Sequence, residues 1–326
     1  MKKSKEIILV SWSHVDLAFV EILKNKYNFD VKILRYKHHI SWNSSSRSYF
    51  KNLFNLIYFV FKALFSIRGK VSIFFGHHLC RIFFIFVKLT KKSFFIYNEL
   101  PSLKKGPTSY LDKLIFKNVE HIFVSNKSRL KLLKANSFDT SKCNVLENIT
   151  FDKPSEMKVR ASKRNAIFIG TISYKRFGSH ASKALESVIN EASSVDILPS
   201  FVDRKFKESF DGVRWLEGVS HPEVNNLLKD YGFGILSYEN DSHNNIYAAP
   251  LKIYEYVNMG LRVISLLPNE GIDSIKKKYP ELFVDNKLNS YSQGYTTDAF
   301  IRARKAFLND AIKTNQDFAD TIYLYC

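Results

Sequence analysis

The sequence predicts an α/β protein built from two parallel-sheet domains, and three observations carry that prediction. The chain has 326 residues, while a single domain holds roughly 100–200. Short buried-strand patterns alternate with helical stretches, as in a parallel sheet flanked by helices. The alternation halts in a polar stretch, Phe151 to Arg164, which contains Pro154, and restarts at Asn165. The expected boundaries are residues 1–152, residues 153–300, and a C-terminal helix over 301–326 that can pack back on the first domain.

Taken in order, Glu6 to Ser11 (EIILVS) reads as a buried strand and Val15 to Tyr27 as the helix after it. Asp30 to Tyr36 alternates like a second strand, and the serine-rich His38 to Arg47 reads as a loop. Ser48 to Ile67 is a helix rich in Phe and Leu. Strands follow at Val71 to Phe75, Ser93 to Asn98 and His121 to Ser125, then a basic helix from Lys127 to Lys134 and a last strand within Asn144 to Ile149. In the second half, strands are expected at Asn165 to Gly170, Val195 to Leu198, Val213 to Leu216, Gly232 to Ser237 and Arg262 to Leu266. Helices are expected from Ser179 to Glu191, from Pro222, from Leu251 to Asn258 with Gly260 as its stop, and after Thr297.

Composition narrows the class. Hydrophobic residues make up 45% and charged residues 25%, a globular profile. Cys80, Cys143 and Cys326 form no paired spacing, which fits a reducing compartment. The apolar run Ile7 to Val10 is too short for a signal peptide, and Leu53 to Phe61, the best apolar stretch, stops at Lys62. The expected location is therefore cytoplasmic. The net charge of +18 is unevenly spread. Residues 1–150 hold 26 Lys and Arg against 9 Asp and Glu, a net +17, and the remainder holds 23 against 22. A uniform lysine bias charges both halves alike, so the first half is expected to meet an anionic surface: lipid head groups at the inner face of the cell membrane, a lipid-linked phosphate, or nucleic acid.

The most specific stretch runs from Asn244 to Ser265, NNIYAAPLKIYEYVNMGLRVIS. It reads as a small-residue loop through Ala249, a helix opened at or just after Pro250, a glycine stop and a buried strand. The free N–H groups at such a helix start suit a diphosphate. Lys252 in the first turn adds a charge-assisted bond, and Glu255, one turn on, can accept ribose hydroxyls. This stretch resembles the P-x-K-x-x-E-Y…G-x-P-V-I segment of GT-B glycosyltransferases, notably glycosyltransferase family 4 and the xanthan-type glucuronosyltransferases. Arg262 stands in place of the usual proline. Where many family 4 members carry a first glutamate, this chain has Tyr247, so the resemblance leaves retaining and inverting chemistry both open.

Three further segments agree with the resemblance, which covers residues 165–266. Ile167 to Thr171 followed by Tyr174-Lys175-Arg176 resembles the first strand and loop of the donor domain. There Gly170 and Thr171 form the turn, and Lys175 or Arg176 faces the donor phosphates. Trp215 to Val219 with His221 to Val224 resembles a segment whose loop borders the nucleotide base, which implicates Glu217. Ile235 to Glu239 resembles the strand leading into the donor loop, where Tyr238 can stack on the base. The implied donor set is Gly170, Thr171, Lys175, Arg176, Glu217, Tyr238, Ala249, Leu251, Lys252 and Glu255. The implied fold is GT-B, two Rossmann-like domains facing each other across a cleft, the first binding the acceptor and the second a nucleotide-sugar, UDP-linked first.

An inverting transferase needs a general base, and the first half must supply it. Candidates sit at the carboxyl ends of its strands. Glu99 ranks first, because the resemblance to the inverting glucuronosyltransferases implies a carboxylate base in a segment like Tyr97-Asn98-Glu99. His14 ranks second, since some inverting GT-B enzymes place a histidine after strand one, and His77 third. For each of these, a purely structural role is the plainer reading. No DxD pair, HExxH or Cys/His cluster is present, so neither a metal nor another cofactor is expected. Two other functions fit less well. A GT-B-fold sugar-nucleotide epimerase has little use for a +17 acceptor half. A nucleic-acid-binding protein explains the charge, but no helix-turn-helix, zinc or RNA-binding motif accompanies it, so nucleic acid is not an expected partner.

Overall fold

The structure is a computed structural model that describes residues 5–11, 17–36, 46–104, 106–151, 153–155, 164–172, 179–202, 207, 210, 212–219, 221–238, 242–248, 250–284 and 297–326. The chain divides into two compact units, Met1–Asp152 with Ile312–Cys326, and Lys153–Ala311.

The first unit comprises β1 (Glu6–Ser11), α1 (Ala18–Tyr27), β2 (Asp30–Arg35), α2 (Ser46–Ile67), β3 (Val71–Phe75), α3 (His77–Phe84), β4 (Lys92–Tyr97), α4 (Pro107–Asn118), β5 (Ile122–Val124), α5 (Lys127–Ala135) and β6 (Cys143–Val145). Every pairing is parallel, in the order β2-β1-β3-β4-β5-β6. Ile7 to Val10 and all of β3 are buried without alternation, as strands covered on both faces must be.

The second unit comprises β7 (Asn165–Ile172), α6 (Ser179–Glu191), β8 (Ser194–Val202), β9 (Val213–Trp215), α7 (His221–Leu228), β10 (Phe233–Leu236), α8 (His243–Ile246), α9 (Leu251–Asn258), β11 (Arg262–Ser265), α10 (Glu270–Lys278), β12 (Phe283–Val284) and the first part of α11 (Thr297–Tyr325). Its sheet is again parallel, ordered β12-β11-β10-β7-β8-β9. The two sheets establish the α/β class that the βα alternation predicts.

Helix α11 contributes to both cores. In the second unit Phe307 stacks on Tyr254, with centroids 5.0 Å apart. In the first, Phe318 packs edge-on against Phe19 and Phe123, at 4.7 and 4.5 Å.

Four helices were not predicted: the single turn α8, which falls in the stretch read as a small-residue loop, and three longer ones, each for a physical reason. Helix α3 is only eight residues long and runs from β3 into a further apolar stretch, so the sequence gives it no clear boundary. Helix α4 completes its inward face with Ser109 and Asp112 rather than apolar residues. Helix α10 buries only Gly271 and Ile272 and ends in Lys276, Lys277 and Lys278, so its sequence reads as a polar segment. The serine-rich loop reading falls mainly on residues 37–45, outside the described residues, as does most of the proposed linker.

Candidate functional site

In the second sheet the strand order reverses between β7 and β10, and ligands of open α/β sheets bind outside the carboxyl ends of strands at such a point. A pocket opens there. It is lined by Phe168, Ile169, Gly170 and Thr171 from β7, by Ile235 and Leu236 from β10 with Ser237 and Tyr238 just beyond, and by Lys252 from α9.

Each side of the pocket has a local cause. The register of β7 against β8 shifts between Gly170 and Thr171, a bulge that bends the strand end. Gly170 holds φ at +152°, where a side chain is strained. The N-cap of α9 is Pro250, which makes no side-chain cap bond, and no acidic residue occupies the first turn. Ile253 N of that turn donates to Pro250 O at 3.1 Å, and the N–H groups of Leu251 and Lys252 ahead of it stand at the positive end of the helix dipole, which suits an anion. Ser237 is 8% exposed, and its Oγ has no hydrogen-bond partner among the described residues. A buried hydroxyl at a pocket wall is a binding group waiting for a partner.

Tyr256 fixes where α9 starts. Its ring lies on Gly234 of β10 so closely that a Cβ there would sit 2.2 Å from it. Its hydroxyl accepts from Ile169 N at 3.1 Å and donates to Ile235 O at 3.4 Å. Burial raises the Tyr256 phenol well above its ordinary range, so it stays protonated. This one side chain ties α9 to both strands that form the pocket. On the far side, buried Asn269 caps α10 by accepting from Ile272 N at 3.0 Å and donates to Asn245 O of the loop before α9.

Of the residues expected to meet the donor, the structure brings together Gly170, Thr171, Tyr238 and Lys252. Glu255 is close by but sits behind them. Its carboxylate is 3% exposed and receives Lys252 Nζ at 2.5 Å, so it anchors the lysine instead of lining the pocket. Leu251 opens α9 without lining the pocket, and Glu217 lies exposed after β9, at the edge of the sheet. Lys175, Arg176 and Ala249 lie outside the described residues. Sequence reasoning gave Ser237 and Tyr256 no role of their own, although both lie in the segments that carry the resemblance and a serine closing a buried strand was a usable signal for the first.

At the carboxyl ends of the first sheet, α3 starts at His77 directly after β3, and Glu99 follows β4. His77 Nδ1 lies 3.6 Å from Glu99 Oε2, an ion-pair distance too long for a hydrogen bond. Burial, with His78 and Arg81 nearby, lowers the His77 pKa to about 4, so the ring is neutral at physiological pH. Glu99 does not offset this, because its side chain is 55% exposed and screened by water. His14 lies outside the described residues.

This end is held by a buried network that the sequence did not announce. Asp112 of α4 is fully buried and receives Arg81 Nε and Nη2 at 2.8 and 2.6 Å, Ser102 N at 3.2 Å and Tyr97 Oη at 3.3 Å. Arg129 of α5 donates to Asn98 O and, at 2.7 Å, to Ser125 Oγ. Together they lock α3 and the segment carrying Glu99.

No protein-family model and no curated protein matches the chain. Solved structures do. The chain is similar to Anabaena Alr3699/HepE, solved with UDP and glucose, at 9% identity and a TM-score of 0.65, covering 98% of this chain and 99% of that one. It is similar to the GtfA/B complex at 10% identity and a TM-score of 0.55, covering 83% and 60%. It is also similar to UDP-N-acetylglucosamine 2-epimerase from Rickettsia bellii at 10% identity and a TM-score of 0.56, covering 98% and 96%. At such identities the likeness establishes the fold, which is GT-B.

Proposed function

We propose that the protein is a glycosyltransferase that moves a sugar from a nucleotide-sugar donor, a UDP-sugar first, to a glycan or lipid-linked acceptor in bacterial envelope glycan assembly. The observation that carries this reading is the pocket at the β7–β10 reversal, where Lys252 and an uncapped helix start meet Gly170, Ser237 and Tyr238. The diphosphate fits the helix start and Lys252, and Tyr238 suits the base. Similarity to a fold solved with UDP supports the choice of nucleotide. The resemblance of residues 244–265 to family 4 and the glucuronosyltransferases supports hexosyl or glycuronosyl transfer.

In transfer, the acceptor oxygen bonds to the anomeric carbon as the bond to the diphosphate breaks. Charge grows on the leaving diphosphate, and fixed positive groups stabilise it most where water is excluded. Lys252 and the α9 dipole supply those groups, so the reading needs no metal. Lys175 and Arg176 join them on the sequence argument alone. For an inverting reaction Glu99 takes the acceptor proton, with His14 and His77 behind it; a retaining reaction needs no such base. The net +17 of residues 1–150 supports a cytoplasmic protein peripheral to the inner face of the cell membrane.

Fold similarity to a 2-epimerase gives a second reading. An epimerase needs no acceptor, so one assay separates the two. The transferase reading expects UDP release from a UDP-sugar only with acceptor present, lost in Glu99→Gln while donor binding remains. Inversion of the sugar nucleotide without acceptor replaces it with the epimerase. Transfer that survives Glu99→Gln moves the base to His14 or His77 or makes the reaction retaining, and the anomeric configuration of the product decides.

A further inference from the structure

Helix α2 buries one face and leaves the other bare. Phe59, Ala63 and Ile67 face the core. Phe54, Tyr58, Phe61 and Phe65, spaced to fall on one stripe, are 68%, 70%, 59% and 80% exposed, with Leu53 and Ile57 beside them. An aromatic stripe of this kind on a soluble surface marks a contact site.

The charge around the stripe identifies what it meets. Between Asp30 and Glu99 there is no acidic residue, while the same stretch holds twelve lysines and arginines. Lys62 lies exposed among the aromatic residues of α2, and Arg68 lies exposed directly after the helix. Beside the helix, at the carboxyl end of β2, is a groove of about 430 Å³ lined by Arg35, Tyr36, Asn55, Tyr58 and Lys62 among others. No described helix is long and apolar enough to cross a membrane. Apolar rings backed by cations of one sign fit a surface that is itself apolar below an anionic layer. Duplex nucleic acid satisfies the cations but keeps its bases stacked inside, and even single strands offer aliphatic Leu53 and Ile57 no apolar layer to enter.

We infer that this face of α2 docks on an anionic lipid bilayer, with Phe54, Tyr58, Phe61 and Phe65 in the interface, and that the groove beside it seats the anionic head group of a membrane lipid. The inference rests on the membrane-acceptor reading above and gives it a surface. The helix lies on the bilayer, and the groove sets the first sheet's carboxyl edge at head-group level.

The test is co-sedimentation of the full chain with phosphatidylglycerol-containing vesicles and with pure phosphatidylcholine vesicles. The wild-type chain is compared with Phe61→Ser/Phe65→Ser and with Lys62→Glu, and UDP binding is measured on the same samples. These side chains are exposed, so the variants should melt with the wild type. Binding to anionic vesicles alone, released by salt and weakened about tenfold or more by either variant, is expected. Three results overturn the inference: no vesicle binding, equal binding to neutral vesicles, or variants that bind as the wild type does. A fourth is RNA that binds through the same residues and displaces the vesicles. Vesicle binding without any nucleotide affinity would instead sink the transferase reading and leave the docking surface standing.

Discussion

The carboxyl ends of the two sheets have the same architecture and opposite chemistry. In the second unit the end is open. Helix α9 starts uncapped, Ser237 Oγ has no described partner, and Lys252 reaches the pocket from a buried carboxylate. In the first unit the end is filled by its own side chains. Asp112 is enclosed by four donors, Arg129 spans two strand ends, and His77 is mostly covered beside a half-exposed Glu99. The contrast holds even between neighbouring helices of the second unit. Helix α10, unlike α9, closes its start with Asn269 and places Glu270 and Asp273 in its first turn, which leaves no place for an anion. An open end is suited to holding a charged ligand, and a filled end to holding geometry for a proton acceptor.

The largest effect that bears on this difference is on stability. Arg81→Met strands Asp112 as a fully buried, unpaired carboxylate, and losing one partner of such a pair costs ~3–5 kcal/mol. Urea unfolding should show that loss while UDP affinity per folded molecule stays unchanged. A variant as stable as the wild type would mean that the first end is not held by this network.

Next in size is ligand affinity at the open end. Lys252→Met should weaken UDP binding by ~1.5–3 kcal/mol, the range for hydrogen bonds to charged groups, and leave uridine binding nearly unchanged. Because it also strands Glu255, the double variant Lys252→Met/Glu255→Gln separates lost charge from lost stability. Equal losses for UDP and uridine would remove Lys252 from the phosphates. Gly170→Ala meets no clash, since the nearest atoms of Phe168 lie at 3.6 Å, but it must hold φ near +152°. That strain amounts to ~1–3 kcal/mol, read as a lowered Tm together with weaker UDP binding.

The smallest effect is a pH signature of the filled end. Burial depresses His77 to about 4, so the unfolded chain takes up this proton near its ordinary value while the folded chain resists. The corresponding stability is fully present above about pH 6.5 and is lost as pH falls toward 4. His77→Gln should flatten that part of the stability profile, compared by urea midpoints at neutral and mildly acid pH. An unchanged slope would mean that the ring is not buried as a neutral group.

What the sequence made legible follows the same division. Strands β1 and β3 show in the sequence through continuous burial, helices α6 and α11 through apolar residues at helical spacing, such as Ala181, Leu185 and Val188, and α9 through its proline and glycine frame. Lys252, Gly170, Thr171 and Tyr238 were legible for that reason, since the open end is built from short segments with their own signals. The filled end was not. Asp112 and Arg81 are 31 positions apart, and only the fold makes them partners. The burial of His77 likewise depends on how α3 packs. Tyr256 showed only as the last residue of the P-x-K-x-x-E-Y match; its role arises from Gly234, which no spacing connects to it. Glu255 was read as a ribose acceptor from its helical face, yet that face turns it inward to Lys252.

The claim that the second unit's open end is a diphosphate site is tested most directly by the stability of the purified chain with UDP and with other nucleoside diphosphates, in the presence of a metal chelator. At a hundredfold excess over Kd the account predicts stabilisation of about 2.7 kcal/mol for the nucleotide that binds, sharply reduced in Lys252→Met. No stabilisation by any nucleoside diphosphate, or stabilisation that appears only when divalent metal is restored, would contradict it.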